Sequence, residues 1–166
     1  MLLDIHKEEY CIFFGPIGDG SSEVTARQLG EVALRQFNHP AIIFCSTFLS
    51  AEGIAIDGET LMRNIENVVG SQVNIFGGMA GDDLSFTGSY VFTNNDATDY
   101  GLVALIVDAD KIAMQGMAIS GWKPMGISRT ITKSEGNLIY TIDDKPALET
   151  YMRFLGGDLS TADDNF

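Results

Sequence analysis

The chain has 166 residues, enough for a single domain with a hydrophobic core of its own. Its 23 acidic and 10 basic residues give a net charge of −13, and such a field repels nucleic-acid phosphates and anionic lipid surfaces. Composition therefore argues against a nucleic-acid-binding or membrane-binding protein and favours a cationic or zwitterionic ligand over a polyanion.

The first elements are a strand and a helix. Residues 10–15 form a short apolar run that ends at Gly15-Pro16, which predicts a strand and a turn. Ser21 or Ser22 then caps a helix that we expect to end near Phe37.

A second strand and a second helix follow. Residues 41–45 are continuously apolar, as in a strand covered on both faces. Asp57 is a suitable N-cap for the next helix, in which Leu61 and Ile65 recur at helical spacing, and Gly70 is placed to end it.

The second half of the chain has mainly strand patterns. Residues 86–93 and 127–132 alternate between apolar and polar, and the unbroken apolar run at 102–107 predicts a central strand. A turn at 108–111 leads into residues 112–119, and Gly136-Asn137 turns the chain into a strand at 138–142. The last helix has Pro146 in its first turn and ends near Gly156. The fold class is thus α/β, layered, with a mixed and largely antiparallel sheet, or two packed sheets, and helices on the outer faces.

Glycine and aspartate are concentrated at one predicted strand end. The run V-N-I-F-G-G-M-A-G-D-D covers residues 73–83 and contains Gly77, Gly78 and Gly81, followed by Asp82 and Asp83. Glycine permits close approach to the backbone, so this glycine corner could hold a small polar ligand, with the two carboxylates binding an ammonium group. The alternative is that both carboxylates accept hydrogen bonds from local backbone N–H groups and stabilise the turn.

Four sequence fragments, in order, carry a resemblance to a known family. They are I-F-G-G-M-A-G-D-D-L-S-F at 75–86, Y-V-F at 90–92, G-W-K-P-M-G at 121–126 and E-G-N-L-I-Y-T-I-D-D-K-P-A-L-E-T-Y at 135–151. Together they resemble the FIST (F-box and intracellular signal transduction) sensory domain, in the later part of its N-terminal half.

The resemblance implies a cytoplasmic sensory domain that binds a small molecule such as an amino acid and acts through a signalling output domain or partner protein. It also implies strands and a helix before Met1 and a second half after Gly157. We therefore expect residues 1–156 to be a partial FIST N-type domain and residues 157–166 to be an acidic tail or a truncated linker. The absence of a signal peptide in the N-terminal sequence agrees with a cytoplasmic protein.

The predicted ligand site joins the glycine corner to a rigid aromatic loop. Trp122, followed by Pro124, could form one wall of a pocket, or the indole could instead pack over the sheet as part of the core. Arg129 could bind a carboxylate, but among so many acids we expect it to pair with one of them. The predicted ligand-binding residues are Gly77, Gly78, Gly81, Asp82, Asp83, Trp122 and Pro124.

Three functional alternatives remain open at this point. Cys45 follows a predicted strand and could be the nucleophile of a hydrolase-like enzyme, although neither His6 nor His39 is placed by the sequence as its base. We expect both Cys45 and Cys11 to be core thiols, and we predict a non-catalytic protein. Some FIST members bind haem and respond to nitric oxide, but His39, in an Asn-His-Pro turn, is a poor axial ligand. We predict no metal site and no cofactor. The third alternative is an interaction module that pairs with another chain. A homo-oligomer is one assembly of this kind.

Overall fold

A computed structural model describes residues 4–18, 20–83, 85, 87–121, 123–124, 126–136 and 138–155. The chain forms two compact units, residues 1–118 and residues 119–166. The first unit contains a four-stranded mixed sheet with two helices, and the second contains a small antiparallel sheet with one helix.

The main sheet is built from four strands in the order β1-β6-β2-β3. They are β1 (Tyr10–Pro16), β2 (Pro40–Thr47), β3 (Ile75–Ala80) and β6 (Gly101–Asp108). β6 is antiparallel to both β1 and β2, whereas β2 and β3 are parallel. The apolar run at 102–107 therefore forms a central strand, as predicted, and β1, β2 and β3 all end at one edge of the sheet, called here the carboxyl edge.

Both helices begin and end where local sequence signals predict. Helix α1 (Ser22–Gln36) is capped by the Ser21 hydroxyl, which accepts a hydrogen bond from the Glu23 N–H at 3.2 Å. Helix α2 (Gly58–Val69) is capped by Asp57, whose carboxylate accepts from the Glu59 N–H at 3.0 Å.

The hydrophobic core lies between these helices and one face of the sheet. α1 and α2 approach each other closely where Gly30 faces Val68, because a Cβ on Gly30 would lie 2.8 Å from the Val68 Cβ. Apolar residues of both helices and of β2 and β6 belong to one buried cluster, whose fully buried large members are Leu29, Ile42, Leu61, Ile65, Leu102 and Ile106.

The other face of the sheet is more open than the sequence predicts. Cys45 is exposed and Ile43 half-buried, so the expectation that β2 is covered on both faces is wrong along part of the strand. Across the sheet, Cys45 has Val103 and Gly78 as its direct neighbours, and Ile12 on β1 is 57% exposed. On the face of β2 that points away from the helices, Ala41 is thus buried, Ile43 is half-buried and Cys45 is exposed.

Two further predictions for the first unit are corrected. Only Val91–Phe92 (β4) of the predicted strand at 86–93 is a strand, and it pairs with Ala97–Thr98 (β5). The Asp82 carboxylate accepts a hydrogen bond from the Thr87 N–H, and the Ser89 hydroxyl accepts one from the Phe48 N–H. Around this segment, side chains thus bond backbone N–H groups that a strand ladder would otherwise use. Residues 112–120 form no regular element.

The second unit is a three-stranded sheet with helix α3. Its strands are β7 (Ile131–Glu135), β8 (Leu138–Ile142) and β9 (Lys145–Pro146), and α3 spans Ala147–Leu155. The predicted strand at 127–132 therefore starts only at Ile131, and Pro146 precedes the helix. Asp143 and Asp144 have positive φ angles of 49° and 61°, as a tight hairpin turn between β8 and β9 requires. The observed architecture is the predicted α/β class with a mixed sheet.

Candidate functional site

The glycines of the predicted corner differ in the space around them. Gly77 and Gly78 lie within β3, opposite Phe44 and Cys45 of β2. A Cβ on Gly77 would meet the carbonyl oxygen of Phe44 and would lie 2.9 Å from its Cδ1, so packing within the sheet requires a glycine there. Around Gly78 and Gly81, by contrast, a Cβ would have no described atom within 4 Å. Of the three glycines in the corner, Gly78 and Gly81 therefore leave room for another group beside the backbone, and Gly77 does not.

The two carboxylates of the corner are hydrogen-bonded within their own loop. Asp83 accepts from the backbone N–H of Ser85 at 3.3 Å and also from the Ser85 hydroxyl, and these two bonds lower the pKa of the Asp83 carboxyl. Asp82 accepts from the Thr87 N–H at 3.0 Å. This geometry is the one expected if the carboxylates stabilise the turn.

The predicted site also includes two residues of the loop at 121–126. Trp122 lies outside the described residues, and Pro124 is an exposed residue of the second unit. Ligand binding by the glycine corner together with Trp122 and Pro124 therefore stays a prediction.

A cavity of about 560 Å³ opens at the carboxyl edge of the main sheet. Three segments line it: the loop after β1, the loop after β2, and the residues just before β6. This is where open α/β sheets usually bind their ligands, since the loops that follow neighbouring strands diverge there. The lining residues are Gly18, Gly20, Ser50, Ala51, Glu52, Ile54, Asp99 and Tyr100.

Hydrogen bonds between these segments shape the cavity. The Asp99 carboxylate accepts from the Ala51 N–H at 3.0 Å, which joins the β2 loop to the approach to β6. The buried Ser50 hydroxyl accepts from the Ile54 N–H at 3.0 Å and closes the turn of the β2 loop. The carbonyl of Tyr100 accepts from the Ile17 N–H at 2.9 Å and holds the β1 loop.

The cavity is electrostatically asymmetric. Glu52 and Asp99 supply two carboxylates, and none of its described lining residues is basic. On another side, Gly20 directly precedes Ser21, the N-cap of α1, where the helix dipole provides a positive partial charge that the Glu23 carboxylate in the first turn partly offsets. An ammonium and a carboxylate group could therefore both find complementary charge here.

Sequence analysis missed this cavity, although one signal pointed to it. The glycines at 18 and 20 and the S-A-E-G turn at 50–53 each follow a predicted strand. In the structure these two strands run in the same direction. The contribution of Asp99 could not be foreseen, because it depends on the insertion of β6 between β1 and β2.

The sequence is similar to a known protein family. The sequence profile of the FIST N domain matches residues 5–145, which is most of the chain. The chain belongs to the FIST family. An uncharacterized protein of Methanocaldococcus jannaschii is 30% identical over 95 residues, a match that covers 56% of this chain and 18% of the relative. The chain thus spans a small part of that relative's length, and no solved structure matches it.

Membership of the FIST family makes this a signal-transduction sensory domain. Among the helices within the described ranges, none has the length and apolarity needed to cross a membrane.

The enzyme alternative finds little support around Cys45 of the FIST domain. The expectation of a core thiol is wrong for Cys45, which is exposed, whereas the half-buried Cys11 packs against the core cluster. Both cysteines are free. His39 precedes Cys45 by six residues of extended strand, roughly 20 Å, which is too far for a general base. Burial raises the pKa of the Cys11 thiol, so that group is poorly suited to nucleophilic attack.

The residues around His39 do not fit a haem group either. His39 lies in a turn with its side chain 72% exposed, and its Nδ1 is bonded to Asp110. An axial histidine in haem proteins lies instead within an enclosed apolar pocket. In the part of the chain that the structure describes, no group of three or more His, Cys, Asp or Glu side chains is arranged to hold a metal ion.

Proposed function

We propose that this FIST domain is a non-catalytic cytoplasmic sensor that binds a small zwitterionic metabolite, with amino acids as the ligand class. The observation that carries this proposal is the cavity at the carboxyl edge, with two carboxylates and no basic side chain among its described lining residues. Its volume of about 560 Å³ is within the range of small-molecule sites.

The charges of the cavity suggest how such a ligand would be oriented. The α-ammonium group would bind Glu52 and Asp99, since charge-assisted hydrogen bonds to carboxylates are the strongest available to it. The α-carboxylate would lie toward Gly20 and the N-terminus of α1, where backbone N–H groups and the helix dipole favour an anion.

A ligand held in this way would connect the loops that follow β1 and β2. Both loops are anchored to the sheet at their ends, so ligand binding would reduce their freedom relative to each other. We expect this ordering to be the change that an output domain or partner protein detects. Gly81, Asp82 and Asp83 end β3 at the same edge, and their contact with the ligand remains part of the proposal.

The test is a thermal-shift screen of the protein with the common amino acids, followed by calorimetry on any that raise the melting temperature. A ligand that binds only the folded state must raise it once its concentration exceeds Kd. Because each substitution removes one charged partner of the ammonium group, we expect Asp99→Asn and Glu52→Gln to weaken binding by about tenfold or more.

Glu66→Gln is the matched control, since it removes the same charge from an exposed position on α2 outside the cavity. The proposal fails if no amino acid raises the melting temperature, or if Glu66→Gln weakens binding as much as Glu52→Gln does.

A further inference from the structure

The second unit contains a small cleft with an unusual charge for this protein. It lies between the start of β7, the β8–β9 turn and helix α3, and its volume is about 40 Å³. The lining residues are Arg129, Lys145, Glu149, Thr150, Arg153 and Phe154. Three of the chain's 10 basic residues thus meet around one cleft, in a protein whose net charge is −13.

Arg129 is held in place from two sides. Its Nη1 donates to the Asp143 carboxylate at 2.7 Å, and its guanidinium lies over the Phe154 ring at 4.8 Å from the centroid. The pairing with an acid is the one expected from sequence. The hydrogen bond from the Thr130 N–H has the largest lowering effect on the pKa of the Asp143 carboxyl, and the hydrogen bond from Arg129 has the next largest. Asp143 and Arg129 therefore both stay charged at neutral pH. A guanidinium has five N–H donors, and those that Asp143 does not use remain available.

The other two basic side chains of the cleft are less constrained, although the charge of Lys145 contributes to the lowered pKa of Asp143. Neither Lys145 nor Arg153 forms a hydrogen bond or an ion pair with any residue that the structure describes. Thr150, one helical turn before Phe154, adds a hydroxyl to the lining. Glu149 is the one carboxylate among the lining residues, and Asp143 adds a second negative charge beside Arg129. Together they reduce but do not cancel the charge of the three basic side chains.

The size of the cleft limits what can enter it. A cavity needs a volume of about 10–15 Å³ to hold one water. The 40 Å³ of the cleft therefore holds roughly three waters, which is enough room for an oxyanion but not for a whole metabolite. Guanidinium and ammonium groups with a hydroxyl are also the donors that bind carboxylate and phosphoryl oxygens.

We infer that this cleft is a binding subsite for one oxyanion group, a carboxylate or a phosphoryl group, of a small ligand. Arg129, already fixed by Asp143 and Phe154, donates from the floor, while Lys145, Arg153 and Thr150 close around the anion. The site shares no residue with the cavity at the carboxyl edge, so it does not rest on the proposed function and can fail or succeed without it.

The experiment is an NMR titration of the ¹⁵N-labelled protein with inorganic phosphate and, separately, with acetate, at constant ionic strength maintained with chloride. We expect saturable shifts confined to residues 129–130 and 143–154 with at least one of the two anions, and the stronger of the two identifies the preferred oxyanion chemistry.

Substitutions in the cleft should change the Kd for the anion in opposite directions, depending on the charge that they remove. Arg153→Gln and Lys145→Gln should each weaken binding by about tenfold, because each removes one charged donor. Glu149→Gln should strengthen it several-fold, because it removes the repulsive carboxylate that lines the cleft and leaves the Arg129–Asp143 pair intact. Lys133→Gln is the matched control, since Lys133 lies over the Tyr140 ring outside the cleft.

Circular dichroism of each variant verifies that the second unit is folded, and the opposite effect of Glu149→Gln cannot come from unfolding. The inference is overturned if neither anion gives saturable, localised shifts, or if Lys133→Gln weakens binding as much as Arg153→Gln.

Discussion

His39 is joined to Asp110 across the ends of two neighbouring strands. Its Nδ1 lies 2.9 Å from each carboxylate oxygen of Asp110, and its backbone carbonyl accepts from the Ala109 N–H at 2.8 Å. The residue before β2 is thereby bonded twice to the turn after β6. The hydrogen bond to Asp110 and its negative charge raise the pKa of His39 above the ordinary value of 6.5.

This pair predicts a pH-dependent contribution to stability. Because the pKa is raised in the folded state, the contribution is complete below pH 6.5 and is lost as the pH rises through the folded-state pKa. We expect Asp110→Asn to lower the melting temperature at about pH 5.5 and to have progressively less effect as the pH rises through the folded-state pKa, because the imidazole then loses its charge. NMR titration of the ring should show the pKa of His39 falling toward its ordinary value in the variant. An equal loss of melting temperature below and above the folded-state pKa would contradict this assignment.

The two adjacent glycines of β3 should respond differently to alanine. Gly77→Ala would push a Cβ against the Phe44 carbonyl oxygen, which is backbone and has no room to move, so we expect a loss of about 2–4 kcal/mol in unfolding free energy. Gly78→Ala meets no described atom within 4 Å and should change stability by less than about 1 kcal/mol. Urea denaturation of both variants makes the comparison. If Gly78→Ala is as damaging as Gly77→Ala, the two glycines do not differ in packing as described.

Ser46 and Thr47 are buried neighbours with different hydrogen bonding. The Ser46 hydroxyl has no partner among the described residues, whereas the Thr47 hydroxyl donates to the Gly101 carbonyl at 3.3 Å and accepts from the Gly101 N–H at 3.1 Å. We expect Ser46→Ala to be neutral or to stabilise by up to about 1 kcal/mol, since it removes an unsatisfied polar group. Thr47→Val keeps the shape but leaves the Gly101 N–H unpaired, at a cost of about 1–3 kcal/mol. Equilibrium unfolding tests both, and a destabilising Ser46→Ala would show that this hydroxyl has a partner.

The N-cap of α2 offers a test of helix capping. The Asp57 carboxylate accepts from the Thr60 hydroxyl at 2.7 Å and from the Glu59 N–H, and these bonds lower the pKa of Asp57. Asp57→Ala should reduce stability by about 1 kcal/mol, whereas Asp57→Asn, which still caps, should lose less. Because the pKa is lowered in the folded state, the benefit of Asp57 over Ala should disappear as the pH falls through that pKa. A benefit that persists in strong acid would argue against a capping carboxylate.

The elements that sequence predicts well are those set by local signals. Ser21, Asp57 and Gly70 mark the ends of α1 and α2 because a cap acts within one helical turn. The strand predicted at 86–93 failed for the opposite reason. Alternation shows which face of a strand would be apolar, but it does not show that a ladder partner exists, and here the Asp82 and Ser89 side chains bond the backbone around that segment.

The candidate site was less predictable because it depends on contacts between distant segments. The glycine corner was visible in sequence, yet the role of Gly77 depends on Phe44 in another strand. The cavity at the carboxyl edge needs Asp99 beside Ala51, a contact that exists only because β6 lies between β1 and β2. Family resemblance identified the FIST domain where spacing alone did not.

The position of β6 also has a consequence for how the chain assembles. β1 and β2 never pair with each other, so until the ribosome has released Gly101–Asp108 the first two strands have no backbone partner in common. Closure of this sheet is therefore a late event in synthesis. In a nascent chain stalled before β6, β2 could pair with β3, but β1 would remain an unpaired apolar strand exposed to chaperones.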